Sequence, residues 1–96
     1  MKLSQAVDAL SALAQETRLD IFRLLVRFAP DGLPAGQIAS NLRLPGPTLS
    51  FHLNILATAD LVRPHKNGRS IRYSPNLDSL YQAYSVSNRR LLPWPR

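Results

Sequence analysis

Apolar positions recur at helical spacing in five places along the chain and at strand spacing in one. Ser4 caps a first helical pattern running to about Ala14, in which Val7, Leu10, Leu13 and several alanines make up the apolar stripe. That stripe is wider than one contact surface needs. Thr17 opens a second pattern: Leu19, Ile21, Phe22, Leu24, Leu25 and Phe28 keep helical spacing until APDG interrupts it. Pro34 suits a first helical position, so GLPAGQIASNL predicts a short third helix ending near Leu42. A tight RLPG connection leads into a fourth pattern, with Pro47 in its first turn.

The fourth pattern, PGPTLSFHLNIL, has one side with no ordinary use. Leu49, Leu53 and Leu56 fall at i, i+4 and i+7 and form a stripe that a core would bury. Ser50, Phe51, Asn54 and Thr58 fall on the other side, and none is charged. A merely solvated helix face would carry Lys and Glu. From Leu61 the period changes. LVRPHKNGRSIRYS predicts two short strands around Asn67-Gly68, with Val62, Ile71 and Tyr73 facing the domain and Arg63, Arg72 and the turn facing out. Asn76 caps a last helix in which Leu77, Leu80, Tyr81 and Tyr84 follow i, i+3, i+4, i+7. The stretch LLPWPR is too proline-rich to continue it. The expected organisation is one domain over residues 1–92, with 93–96, including Trp94, as a mobile tail.

This order, α-α-α-α-β-β-α, is mainly α with a small β-hairpin, the layout of a winged helix-turn-helix. In that layout the second helix of the pair lies in the DNA major groove, and the hairpin reaches an adjacent groove or the backbone. A groove-facing helix needs hydrogen-bonding side chains and an apolar contact for thymine methyls more than it needs charge. Ser50, Asn54 and Phe51 suit those roles, while Lys66, Arg69 and Arg72 on the wing would neutralise phosphates.

Composition points the same way. The 96 residues carry twelve Lys and Arg against six Asp and Glu, a net charge of +6. The excess is concentrated: Arg43, Arg63, Lys66, Arg69 and Arg72 face a single acid, Asp60, between Arg43 and Pro75. An anionic partner follows, and double-stranded DNA fits it. So small a domain buries a modest fraction of its surface, which leaves room for a second subunit. With no cysteine in the sequence, disulfides, thiolate metal sites and thiol nucleophiles are excluded. No apolar run is long enough to span a bilayer and the start lacks a signal-peptide pattern, so the expected location is the cytoplasm, away from any membrane. The acids are scattered and no phosphate-cradling glycine loop is present. No catalytic residue, metal site or cofactor is expected, and the chain does not read as an enzyme.

Three segments together resemble the ArsR/SmtB family of winged helix-turn-helix repressors: ALAQETRLDIFRLL for its second helix, PTLSFHLNIL for its recognition helix, and LVRPHKNGRSIRYS for its wing. The similarity covers roughly residues 5 to 84. It implies a homodimer formed by the first and last helices that binds an inverted-repeat operator and represses until an inducer, unknown here, is sensed. Residues carried across are Thr48, Ser50, Phe51 and His52 on the recognition helix and Arg69 after the wing glycine; Pro47 and Asn54 complete the reading surface. The wide first-helix stripe and the last-helix stripe fit the implied dimer, with Val7, Leu10, Leu77, Leu80, Tyr81 and Tyr84 as interface residues.

Departures from the family pattern are specific. Pro45-Gly46 stands where relatives usually have Ser-Gln, and Arg43 where many place glycine. Pro34 and Gly36 occupy the third-helix positions of a cysteine pair, and the last helix has Asp78 but no histidine. Neither a thiolate sensor nor a closed zinc site can be assembled from these residues. Two alternatives therefore accompany the repressor reading: an arsenic-responsive form whose cysteine sensor is missing or replaced, and a winged-helix protein-interaction module.

Overall fold

A computed structural model describes residues 1–89. The expected tail at 93–96, Trp94 and the end of the 1–92 span lie outside the described residues. The elements run α1 (Leu3–Leu13), α2 (Glu16–Arg27), β1 (Leu33–Pro34), α3 (Ala35–Leu42), α4 (Gly46–Thr58), β2 (Val62–Asn67), β3 (Ser70–Pro75) and α5 (Leu77–Arg89). All five expected helices form.

Two helix starts differ from expectation. Lys2, not Ser4, precedes α1, and its backbone N–H donates to Gln5 Oε1 at 2.8 Å. Gln15, not Thr17, caps α2, its side-chain oxygen accepting from the Arg18 amide at 2.9 Å. In both cases a glutamine amide reaches a free N–H that a shorter hydroxyl was expected to meet. Asn76 does cap α5 as read: its Oδ1 accepts from the Ser79 amide at 3.2 Å, and its Nδ2 donates to the Asp60 carbonyl at 2.8 Å.

The core joins α1, α2, α3, α4 and the foot of the sheet. Ile21, Leu25, Ile38, Leu53, Leu56, Leu61 and Val62 are its largest fully buried side chains. The α2, α3 and α4 helices pack on one another, so α4 rests on a continuous apolar bed.

The sheet has three strands, in the order β1-β3-β2, where the pattern predicts two. Leu33 pairs with Tyr73 and Pro34 with Arg72, antiparallel. Pro34 is therefore the residue before α3 and not its first turn. A proline lacks the ladder donor and fits an edge strand, while buried Leu33 anchors it to the core. Gly32 makes this possible at φ 76, because a Cβ there would collide with the Tyr73 carbonyl oxygen.

The wing turn also sits one residue later than expected. Asn67 pairs with Ser70, so the two loop residues are Gly68 and Arg69. Positive φ occurs at Gly68 (65°) and not at Arg69, the arrangement of a hairpin turn with glycine first. The shift places Arg69 at the tip itself.

Small residues fill the α1–α5 packing. Ala6, Ala9 and Ala12 are buried on α1; Ser79, Ala83 and Val86 are buried on α5. The larger apolar residues face outward instead. Leu3, Val7 and Leu10 on α1 and Leu77, Tyr81 and Tyr84 on α5 are all exposed, each set at i, i+4, i+7. The first-helix stripe is wide because it comprises two faces, an inner one of alanines and an outer one of larger side chains.

Candidate nucleic-acid interface

Helix α4 is held from below. Leu49, Leu53 and Leu56 are at most 3% exposed and fix its rotation about its own axis. Pro45, extended at ψ 147°, precedes the helix, and Pro47 lies in the first turn, where its missing N–H leaves no intrahelical bond unmade. With the leucines buried, Pro47, Thr48, Ser50, Phe51 and Asn54 are all exposed on the outer side. Phe51 is 61% exposed. Its ring is an apolar group presented on an uncharged helix face.

His52 behaves differently from its neighbours. It is half-buried, and Arg18 Nη1 donates to its Nδ1 at 3.4 Å. Its ring lies edge-on to Phe51, with centroids 5.3 Å apart and planes at 71°. Burial lowers its pKa first, and the adjacent Arg18 charge lowers it further, so the ring is held neutral more firmly than a free histidine. Accepting at Nδ1 places the proton of the neutral ring on Nε2. Arg18 also donates from Nε to the Ala12 carbonyl at 2.7 Å and so joins the end of α1 to α4. Sequence reasoning missed this residue. The only signal for it was a basic side chain in the first turn of a helix, where an acid is the usual choice.

The connection between α3 and α4 turns on Arg43, which is left-handed at φ 54°, ψ 46°. A glycine there would adopt this conformation without strain.

On the wing, Arg69 occupies the exposed tip and Lys66 is exposed one rung below Asn67, across from Ile71. Arg72 is exposed too, but its Nε donates to the Asp31 carbonyl at 2.9 Å, at the foot of the sheet. Its guanidinium ties the wing to the α2–β1 loop while remaining on the outward side, as expected. His65, also exposed, shares a 2.8 Å hydrogen bond between Nε2 and Ser74 Oγ. Of the six interface residues expected from the two terminal helices, Val7, Leu10, Leu77, Tyr81 and Tyr84 are exposed, whereas Leu80 is half-buried against the protomer's own core.

An uncharged helix set on a three-helix bed, followed by a basic-tipped β-ribbon, defines a winged helix-turn-helix DNA-binding transcriptional regulator. A helix-turn-helix domain model matches residues 13–65. The chain is 35% identical over 69 residues to the transcriptional repressor SdpR of Bacillus subtilis (strain 168), which spans 72% of this chain and 73% of that protein. Its fold is similar to that of an ArsR-like transcriptional regulator from Rhodococcus sp. RHA1, with TM-score 0.81 and 30% identity over 95% of this chain and 83% of the other. It also matches the homodimeric winged helix-turn-helix DNA-binding domain (fragment 1-100) of Mb0332 from Mycobacterium bovis, with TM-score 0.73 and 25% identity over 93% and 83% of the two chains. The chain belongs to the ArsR family of winged helix-turn-helix transcriptional regulators. That family and fold are those of regulators and not of enzymes. No helix among the described residues is long and apolar enough to cross a membrane.

Proposed function

We propose that this regulator is a cytoplasmic homodimeric repressor that binds an inverted-repeat operator. Pro47, Thr48, Ser50, Phe51 and Asn54 of α4 enter the major groove, with His52 on its flank. Arg69 and Lys66 on the wing meet the phosphate backbone, and Arg72 braces the wing from its foot. One observation carries the reading: the leucines of α4 are sealed inward while Ser50, Phe51 and Asn54 stand exposed and uncharged on a basic domain. A base edge rewards such donors, acceptors and apolar contacts.

The paired outer stripes of α1 and α5 supply the dimer contact. The homodimeric state of the Mb0332 domain supports this assignment. A two-fold dimer presents its two reading helices to half-sites about 10 base pairs apart, centre to centre.

Fluorescence anisotropy with the DNA upstream of the protein's own gene tests this function. Affinity should fall steeply with salt and depend on sequence, because phosphate contacts release counterions while base contacts discriminate. A Phe51→Ala, Asn54→Ala double variant that binds the same DNA as tightly as wild type would sink the reading and favour a protein-interaction module.

A further inference from the structure

A groove of about 480 Å³ runs between α1 and α4, walled by Ala12, Phe51, Ile55 and Ala59. That volume lies in the range of small-molecule sites, which are mostly apolar with a few convergent polar groups. Arg18 lines one part of it. Its guanidinium is half-buried, and its partners among the described residues are the Ala12 carbonyl and the His52 ring, neither of which carries negative charge. Two of its five N–H donors are thereby engaged, and the others remain for a ligand. The other charged group on the groove is Asp8, which is exposed on α1.

From this placement we infer that the α1–α4 groove binds a small organic monocarboxylate, its carboxylate on Arg18 and a ring-sized apolar body against Ile55 and Phe51. A partly desolvated cation without a counter-charge gains most from a charge-assisted hydrogen bond. Asp8 opposes a second negative charge, which selects a monoacid over a diacid. Phe51 and Asn54 belong both to the groove wall and to the outer face of α4. A bound carboxylate therefore competes with DNA for the same side chains. That competition rests on the proposed function; occupancy of the groove does not.

Saturation-transfer NMR on the full chain, with benzoate and phenylacetate as probes and neutral benzamide and dianionic phthalate as controls, tests the site without DNA. Benzoate and phenylacetate should bind saturably, and benzamide and the Arg18→Gln variant should each weaken binding by roughly tenfold or more. Because Arg18 also braces the end of α1, a second variant is needed. Thr58→Trp narrows the groove and leaves the Arg18–Ala12 bond alone, so it should abolish uptake with the thermal unfolding midpoint unchanged. No uptake of either acid by wild type, equal uptake of benzamide, or unchanged uptake by Thr58→Trp would each overturn the inference. So would a loss of DNA affinity in Arg18→Gln without carboxylate uptake by wild type, which would assign the guanidinium to a DNA phosphate. In anisotropy, benzoate should raise the dissociation constant for operator DNA. A wild type that binds benzoate but no DNA would contradict the regulator function and leave the groove assignment standing.

Discussion

Arg18 Nη1 lies 3.4 Å from His52 Nδ1, joining the first turn of α2 to the recognition helix. The same guanidinium holds the Ala12 carbonyl at 2.7 Å. One side chain thus connects the end of α1, the start of α2 and the middle of α4. The end of α1 is thereby tied to α4 through hydrogen bonds to a single side chain.

This contact sets a pH dependence. His52 in the folded chain titrates below its ordinary value of about 6.5, because burial and then the Arg18 charge oppose protonation. The unfolded chain therefore takes up a proton first as pH falls. The neutral ring's contribution to stability is complete above about pH 6.5 and declines as pH drops through that value. The His52 ring-proton shifts followed by NMR should give a midpoint below that of a free histidine. In Arg18→Gln the midpoint should move up. A wild-type midpoint at or above the free value would contradict the contact.

Two of the left-handed positions, Arg43 and Gly32, should respond oppositely to substitution. Arg43→Gly relieves a left-handed non-glycine residue and should stabilise the fold by about 1 kcal/mol. Gly32→Ala would drive a methyl into the Tyr73 carbonyl and should cost more than about 2 kcal/mol, detaching β1 from the sheet. Urea unfolding of both variants measures the difference, and equal midpoints would refute the geometry.

Reading and anchoring should separate on DNA. Asn54→Ala should lose about 1–3 kcal/mol on the preferred operator and much less on unrelated sequence. Arg69→Ala, at the wing tip, should weaken all sequences alike and reduce the slope of log affinity against log salt by about 1. Titrations at several salt concentrations distinguish the two patterns.

The outer stripes should control assembly. Tyr81 and Val7 are 68% and 54% exposed in the protomer, so a charge at either is tolerated by the folded monomer. Tyr81→Glu and Val7→Glu should shift sedimentation velocity from dimer to monomer and weaken operator binding without loss of helical circular dichroism. An unchanged sedimentation coefficient would relocate the interface.

Ser79 offers a test of the inner α1–α5 packing. Its Oγ is buried and finds no partner among the described residues. Ser79→Ala removes an unsatisfied hydroxyl and should be neutral or stabilise by up to about 1 kcal/mol in thermal unfolding. A clear loss of stability would reveal a partner for the hydroxyl.

The recognition helix is legible in the sequence because its period is short-range. Leu49, Leu53 and Leu56 fall on one side of any α-helix, so Ser50, Phe51 and Asn54 must fall on the other. The wing was legible as alternation around a glycine, although its turn moved one residue once cross-strand pairing of Asn67 with Ser70 set the register. Even the left-handed Arg43 could be foreseen, since the position follows a helix end at which glycine is the usual residue.

What stayed hidden depends on contacts between residues far apart in the chain. The β1 strand is two residues long, too short for a pattern, and exists because β3 offers it an edge forty positions later. Arg18 meets His52, and Arg72 meets Asp31, across separations of 34 and 41 residues that no local period encodes. The division of α1 into an inner alanine face and an outer face of larger side chains likewise required α5 to be in place. Local sequence determines which side of an element is apolar, because that follows from helix and strand geometry alone. Which polar side chain reaches which distant carbonyl or ring is decided only when the elements pack, because a hydrogen bond is made at a distance set by the whole fold.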